Sequence, residues 1–274
     1  RSMRHIKQNK SMNIRISVKL VTIVFLCNCL SSCKGQVNKA KIESEVNTSD
    51  RGLSGGKETP EPMIFPDFRN QIAETVRVMF HDSRGTYWFG THGVTYKLVK
   101  DSLIRIDELK SKSGGIVIAR AIKEDIHGKI WFGHTDGISY IDGEKIVCLD
   151  ESDGLISNDV WNLTADSKGN IWVCTMKGVS KFDGRNFTHI ELPEGEIDTT
   201  IGVSGTKAVH HVLEDSKGRI WFSTNAGLFI KDNHDLHAIT AKDGFKSNFV
   251  GKVIENRKGE FMICASKGLY LYKD

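Results

Sequence analysis

Beyond about residue 63, apolar and polar positions repeat in units of about forty residues. Each unit contains four short apolar runs, and the first two flank an acidic turn that ends in Gly. The second run is centred on Trp in four units, and a second Gly opens the third run. Short apolar runs bounded by Gly and Asp predict β-strands joined by tight turns. The turn glycines are 43, 41, 49 and 41 residues apart: Gly85, Gly128, Gly169, Gly218 and Gly259.

Four short antiparallel strands in a unit of this length are typical of one blade of a β-propeller. The pattern therefore predicts an all-β fold, a β-propeller of five four-stranded blades over residues 63–274. The fifth unit has only three runs, while Met63 to Phe68 forms an apolar run with no unit of its own. We expect this N-terminal strand, about residues 63–68, to close the last blade, because an unpaired strand edge invites aggregation.

The repeats also resemble a known family. The segment Asp153–Val160, DGLISNDV, returns as DGFKSNFV over Asp243–Val250, and both accompany the Asp-x-x-Gly-x-Ile-Trp core. Together they are similar to the two-component regulator propeller repeat. The resemblance implies a periplasmic ligand-binding propeller of the sensor type, known from Bacteroidota and associated there with oligosaccharides. No spanning helix, kinase core or receiver follows in this sequence, so we expect a stand-alone lipoprotein whose signalling does not follow from the fold.

The first 32 residues have six basic residues, no acidic ones, and an apolar run from Leu20 to Leu30. This pattern predicts a signal peptide over residues 1–32, with Met12 as the expected start. Leu30-Ser-Ser-Cys33 resembles the bacterial lipobox, which implies lipidation at Cys33. Residues 33–62 then comprise the lipidated cysteine and a flexible tether, since the stretch is polar and has no aromatic residue. We expect export and anchoring to the cell envelope, at the periplasmic or outer-membrane face.

The chain has 38 basic and 34 acidic residues, a formal net charge of +4. Removing residues 1–32 removes six positive charges, so 32 basic and 34 acidic residues leave a net charge of −2. This charge balance gives no reason to expect a nucleic-acid partner. Positive charge that serves binding must therefore come from a local group of basic residues.

Two repeated columns are expected to be structural. The tryptophans (Trp88, Trp131, Trp172 and Trp221) recur at one position of the second strands, which favours packing between blades over sugar stacking. The turn aspartates are too widely spaced to form calcium loops. We find no metal motif and expect no cofactor. Cys174 and Cys264 share a column and are expected to be small core residues.

Function is expected where the units differ. In other propellers, the loops before the first strands and the turns after the second strands share the mouth of the central channel. Two positions there, eight and seven residues before each turn glycine, hold the candidate ligand-binding residues Arg77, Arg120, Trp161, Asn162, His210, His211 and Lys252. Guanidinium groups suit carboxylates or sulfates, and an aromatic face suits a sugar ring. Neighbouring turns add His92, His134, Asp136, Lys177, Asn225 and Lys267, and the long loop from Glu194 to Lys207 is placed to fold over the mouth.

The sequence thus favours a sensor-like propeller that binds an oligosaccharide or another small anionic or polyhydroxylated ligand. An envelope protein or sensor kinase is the further candidate partner. Two alternatives stay open: a protein-interaction scaffold that uses the same face, and a propeller lyase or hydrolase. No nucleophile elbow or carboxylate pair supports the enzyme. His210 and His211 are adjacent on a strand, which places them on opposite faces and disfavours a metal pair.

Overall fold

The computed structural model describes residues 3–5, 75–203, 205–233 and 235–273. In this part of the chain, twenty strands form five four-stranded antiparallel sheets, which confirms the predicted propeller blades. The first sheet contains β2 (Val76–His81), β3 (Tyr87–Thr91), β4 (Thr95–Val99) and β5 (Ser102–Ile106). The second contains β6 (Ala121–Glu124), β7 (Ile130–His134), β8 (Gly137–Asp142) and β9 (Lys145–Leu149).

The third sheet contains β10 (Val160–Ala165), β11 (Ile171–Thr175), β12 (Gly178–Phe182) and β13 (Phe187–Ile190). The fourth contains β14 (Val209–Glu214), β15 (Ile220–Thr224), β16 (Gly227–Asp232) and β17 (Asp235–Ile239). The fifth contains β18 (Val250–Glu255), β19 (Glu260–Ala265), β20 (Gly268–Lys273) and β1 (Met3–His5). Three single-turn 3-10 helices precede strands β10, β14 and β18: Glu151–Asp153, Thr199–Ile201 and Ala241–Asp243.

An N-terminal strand completes the fifth sheet, but it is not the predicted segment. Met3–His5 pairs with β20 in antiparallel register, with Met3 opposite Tyr272 and His5 opposite Tyr270. Residues 63–68, which the sequence assigned to this place, lie outside the described residues. Strand pairing uses backbone N–H and C=O groups, which every extended segment has. An apolar sequence pattern therefore does not determine which segment pairs with β20. The predicted signal peptide and tether likewise lie outside the described residues, apart from this strand.

Four apolar cores join consecutive sheets, and each contains one tryptophan from the earlier sheet. Trp88 meets Phe132 edge to face at 5.7 Å between ring centroids, and Trp172 meets Phe222 in the same way at 5.6 Å. Trp221 is fully buried and stacks on Phe261 at 4.1 Å. The tryptophan column is therefore structural, as its repetition predicts.

The turn aspartates hold the same tryptophans. In Asp166, Oδ1 accepts the amides of Lys168 and Asn170, while Oδ2 accepts the indole N–H of Trp172 at 2.9 Å. The other three Asp–Trp pairs have the same indole bond at 2.8 Å. The turn glycines have φ between 71° and 85°, a conformation that glycine adopts without strain. One carboxylate thus satisfies both the turn and the buried indole.

The fifth sheet changes both members of this pair together. Met262 takes the tryptophan position, and Asn256 takes that of the aspartate. The Asn256 side-chain oxygen still accepts the amides of Lys258 and Glu260, and its Nδ2 donates to the Glu260 carboxylate. Without an indole donor, the second acceptor oxygen is not needed, which explains the amide.

A Ser–Glu pair beside the turns between the first and second strands links neighbouring sheets. The amide and hydroxyl of Ser83 donate to Glu124 at 2.7 and 2.6 Å, across the first and second sheets. Equivalent bonds join Ser167 to Glu214 and Ser216 to Glu255. Between the second and third sheets both members are lost, because the two positions hold Ile126 and Ala165.

Of the two cysteines predicted to be core residues, only one is fully buried. All three described cysteines are free thiols. Cys174 is fully buried, and burial raises the pKa of its thiol. Cys264 in the same column is only partly buried, so the prediction of a core residue is wrong there.

Candidate functional site

One face of the sheets brings together the loops that lead into the first strands and the turns between second and third strands. Backbone hydrogen bonds join them: Gly137 N donates to Asn158 O at 2.8 Å, and Ser266 N donates to Phe249 O at 3.1 Å. Corresponding bonds occur in the first and fourth sheets. We call this surface the mouth face.

A β-bulge lies at the mouth end of four first strands. The register shifts between Val160 and Asn162 in β10, and at the same place in β2, β14 and β18. The extra residues are Arg77, Trp161, His210 and Gly251, four of the five members of one predicted site column. Bulges re-aim side chains and are frequent beside functional sites. The bulge also removes the strict alternation on which the argument about His210 and His211 rested.

The first cluster on the mouth face surrounds Trp161, whose side chain is 41% exposed. Asp159 accepts the Arg120 guanidinium at 2.5 Å through Oδ1 and the Trp161 indole N–H at 3.1 Å through Oδ2. The Arg120 guanidinium also lies 5.2 Å from the indole centroid, a cation–π geometry. The sequence proposed Arg120 and Trp161 but missed Asp159, which connects them. The result is a fixed and accessible aromatic surface.

His210 belongs to a second, more enclosed cluster. Its Nε2 donates to Asn225 Oδ1 at 2.6 Å, and its ring lies 4.6 Å from that of Phe249. Asn162 donates to the His210 carbonyl at 3.0 Å. Burial lowers the pKa of His210, although the Asn225 bond opposes this shift. The imidazole is therefore neutral near pH 7 and serves to fix this part of the face.

The long loop between the third and fourth sheets runs across the mouth face to the fifth sheet. Lys267 forms an ion pair with Asp198 at 2.6 Å, and Asn248 donates to the Glu196 carbonyl at 2.7 Å. Asn225 donates to the Gly205 carbonyl at 2.6 Å. The Lys267 ammonium, followed by the Thr200 hydroxyl, lowers the pKa of Asp198 below its usual range. These bonds hold the loop where the sequence placed it.

A third cluster comes from the first strands of three sheets: Lys123 in β6, His211 in β14 and Lys252 in β18. His211 is 9% exposed, and burial together with the Lys252 and Lys123 charges lowers its pKa to about 3. Burial, then the charge of Lys252, lowers the pKa of Lys123. The sequence missed Lys123, although it lies two residues after Ala121 in the second site column.

The structure brings two pairs of predicted residues into contact, Arg120 with Trp161 and Asn162 with His210. His211 and Lys252 lie on the contacting strands β14 and β18, and the Lys252 charge acts on the His211 imidazole. Arg77 lies exposed on β2. In the described part of the chain it forms no ion pair or cation–π contact with the other predicted residues. The clusters thus come mainly from the second to fifth sheets.

His134, which the sequence placed among the turns of the mouth, is fully buried instead. The Asp136 amide donates to its Nδ1 at 3.2 Å, so Nδ1 carries no proton and Nε2 donates to Ser139 Oγ at 2.8 Å. Burial lowers the pKa of His134 to about 4, against the opposing charge of Asp136. In the third and fourth sheets a threonine fills this column and donates to a backbone carbonyl. His134 is therefore a structural group.

A small cleft of about 80 Å³ lies beside the long loop, between the third and fourth sheets. Its apolar wall includes Ile156, Leu192 and Phe229, and Lys177 and Lys207 lie at its rim. Both lysines face acidic partners, Glu151 at 3.8 Å and Glu194 at 3.7 Å. The cleft has both apolar and polar lining residues and lies next to the long loop of the mouth face.

Two segments of the chain, residues 154–177 and 203–226, match the family described as two component regulator propeller. A search against curated protein sequences gave no match. Across the part that the structure describes, no helix has the length and apolar character needed to cross a membrane.

This propeller also resembles solved structures. The extracellular domain of the putative hybrid two component system BT3049 from B. thetaiotaomicron matches 76% of the chain at 23% identity, with a TM-score of 0.59. PorZ of Porphyromonas gingivalis, a surface component of the type-IX secretion system, matches 73% at 15% identity and a TM-score of 0.52. YCF48 bound to D1 peptide matches 75% at 14% identity and a TM-score of 0.52.

These likenesses establish the propeller fold. The matched region is 30% of the BT3049 domain, 32% of PorZ and 66% of YCF48, so the chain spans only part of each neighbour's length. The ligands, partners and roles of these structural neighbours are properties of those proteins and are not transferred to this chain by the fold.

Proposed function

We propose that this propeller is a ligand-binding domain of the bacterial cell envelope that recognises a carbohydrate at its mouth face. One observation supports this most strongly. Trp161 is the bulge residue of its strand, and its half-exposed indole is fixed by Asp159 and Arg120. The four repeat tryptophans are buried, so the exposure of Trp161 has no counterpart in the packing of the sheets.

A fixed indole with charged neighbours suits a sugar ring. The aromatic face packs against the C–H groups of a pyranose, and loses little conformational entropy because the ring is already held. The Asp159 carboxylate and Arg120 guanidinium offer acceptors and donors for hydroxyl groups at its edge. The long loop, which is bonded to Asn225, Asn248 and Lys267, then forms a second wall of the site.

Export and a sensor-like role are part of the proposal. The regulator propeller repeats and the extracellular BT3049 domain support a position outside the cytoplasm, and a sensor kinase of the envelope is the partner class that fits. Cys33 is proposed as the lipidated residue. Labelling cells with a palmitate analogue tests this part: label on the wild type that is lost in Cys33→Ala supports it, and an unlabelled wild type contradicts it.

The binding claim is tested with a glycan array on the purified protein, followed by calorimetry with the strongest glycan. We expect Trp161→Ala to weaken binding at least tenfold. Tyr87→Ala is the matched control, because Tyr87 is also an exposed aromatic residue but lies in the first sheet at 48% exposure. A blank array, or equal affinities for wild type and Trp161→Ala, would contradict the proposal.

The peptide complex of YCF48 supplies the competing ligand class for the same face. Capture of a protein partner from envelope extracts in a Trp161-dependent manner, with a blank array, would keep the site but replace the carbohydrate by a protein.

A further inference from the structure

The cluster of Lys123, His211 and Lys252 differs from four other cationic groups of the mouth face. Arg120 is paired with Asp159, Lys267 with Asp198, and Lys177 and Lys207 with glutamates. In the described part of the chain no carboxylate forms an ion pair with Lys123 or Lys252. Lys123 is partly buried and Lys252 is exposed, and the charge of Lys252 acts on Lys123. The two ammonium groups therefore repel each other until an anion joins them.

His211 supplies an independent observation. Its imidazole is more than nine-tenths buried, and its Nδ1 atom has no hydrogen-bond partner. An unpaired polar atom in the interior has a free-energy cost, and such atoms are rare unless a ligand or water completes them. His211 and Lys252 hold the same column of β14 and β18, two strands that contact each other. The charges of Lys252 and Lys123 both act on the His211 imidazole.

We infer that Lys123, His211 and Lys252 form a binding site for an oxyanion. Two ammonium groups supply the charge, and the neutral imidazole supplies an N–H donor without adding a third positive charge. Three strands of three different sheets hold these residues, so the site is rigid and forms only in the folded protein. The inference does not depend on the carbohydrate proposal, because it uses none of the residues Arg120, Asp159 and Trp161.

Sulfate, phosphate and carboxylate share the chemistry that this site recognises. The anion is supplied either as a free ion or as the acidic group of a larger ligand, such as a uronic acid or a sulfated sugar. A metal cation does not fit, because two ammonium groups repel it. The two sources of the anion are separated by the probes described next.

The test measures thermal unfolding of the purified protein in sodium sulfate and in sodium chloride at matched ionic strength. We expect a saturable rise of Tm in sulfate for the wild type, since a ligand that binds only the folded state stabilises it. Lys123→Met and Lys252→Met should each lose that rise and weaken sulfate affinity at least tenfold. Without sulfate both variants should be as stable as the wild type or more stable, because a repulsion has been removed.

Lys181→Met is the matched control for Lys123→Met, since Lys181 is likewise a partly buried strand lysine but lies on the third strand of its sheet, in β12. Sulfate also raises Tm through general exclusion from protein surfaces, and this part must be equal in all variants. A rise of the same size in wild type and Lys123→Met would overturn the inference, as would the absence of a saturable component in the wild type.

Calorimetry with phosphate, glucuronate and a sulfated disaccharide then identifies the source. Binding of inorganic anions that is unchanged in Trp161→Ala indicates a free-ion site. Binding of the sugar acids that requires both Trp161 and Lys123 indicates the acidic group of the mouth-face ligand. The carbohydrate proposal can fail on the array while the sulfate-dependent Tm of the wild type persists, so the two failures are distinguishable.

Discussion

In the second to fifth sheets the face that meets the preceding sheet is buried, whereas the same face of the first sheet is exposed. One column shows the difference: Met79 is 61% exposed, while its counterparts are at most 2% exposed. These counterparts are Ile122, Leu163, Val212 and Val253. Tyr87 in a neighbouring column is also exposed, and its equivalents in the second, third and fifth sheets are buried.

The comparison shows which residues a preceding sheet must provide to bury this face. Each buried face is covered by a tryptophan held by an aspartate, with a Ser–Glu pair at three of the four interfaces. The fifth sheet offers Met262 and Asn256 at these positions. Where a Ser–Glu pair would join the fifth sheet to the first, the residues are Arg257 and His81. Within the part of the chain that the structure describes, four interfaces between sheets are therefore complete, and the apolar pattern alone does not form a fifth.

The largest expected effect on the free energy of unfolding comes from truncating Leu163, and Met79 is its exposed counterpart. Leu163→Ala removes a fully buried side chain and should lower the free energy of unfolding by about 3 kcal/mol, from lost burial and a residual cavity. Met79→Ala, at the equivalent but exposed position, should change it by less than about 0.5 kcal/mol. Urea unfolding measures both. A cost for Met79→Ala close to that of Leu163→Ala would show that the first sheet is covered in solution.

A second test reverses the Asp–Asn difference between sheets. In Asp166→Asn the new amide can no longer accept both the turn amides and the Trp172 indole, so a buried donor loses its partner. We expect a loss of about 2 kcal/mol in the free energy of unfolding. Asn256→Asp in the fifth sheet has no indole to satisfy and should change stability by less than about 1 kcal/mol. Equal effects would refute the coupled Asp–Trp account.

A smaller effect concerns His134 and acid. Its folded pKa of about 4 lies below the ordinary 6.5, so the unfolded state binds more protons between these values. The stabilisation by the neutral imidazole is complete above pH 6.5 and is lost as the pH falls towards 4. From pH 7 to pH 5 this group alone should lower the free energy of unfolding by about 1.8 kcal/mol.

His134→Gln, which keeps a donor for Ser139, measures this contribution by urea unfolding at the two pH values. The decrease in the variant should be smaller than in the wild type by that amount. The equivalent residue of the third sheet, Thr175, does not titrate, so Thr175→Ser is the control and should keep the wild-type difference. The same pH dependence in wild type and His134→Gln would contradict the account.

The sequence carried enough information for the sheets and their packing, because the Trp, Asp and Gly columns repeat and each has one physical role. It did not determine which segment completes the fifth sheet, because backbone pairing accepts Met3–His5 without any side-chain signature. The β-bulges could not be predicted from the sequence either, because a register shift depends on the partner strand and not on the local pattern.

The candidate site was predicted as a set of residues but not as a set of contacts. The column positions named Arg120, Trp161, His210, His211 and Lys252, yet they could not show that Asp159 neutralises Arg120 or that Asn225 binds His210. His134 was assigned to the mouth because its turn is there, while its side chain turns into the core. Such partners lie 15 to 40 residues apart along the chain, beyond the reach of a repeat pattern.

The central claim is that the ligand binds at Trp161 on the mouth face and not on the exposed apolar face of the first sheet. A crystal structure of the protein with the strongest glycan from the array tests it most directly. We predict that a sugar ring packs on the Trp161 indole, within hydrogen-bond distance of Asp159 or Arg120. A ligand bound instead around Tyr87 and Met79, with Trp161 unoccupied, would contradict the account.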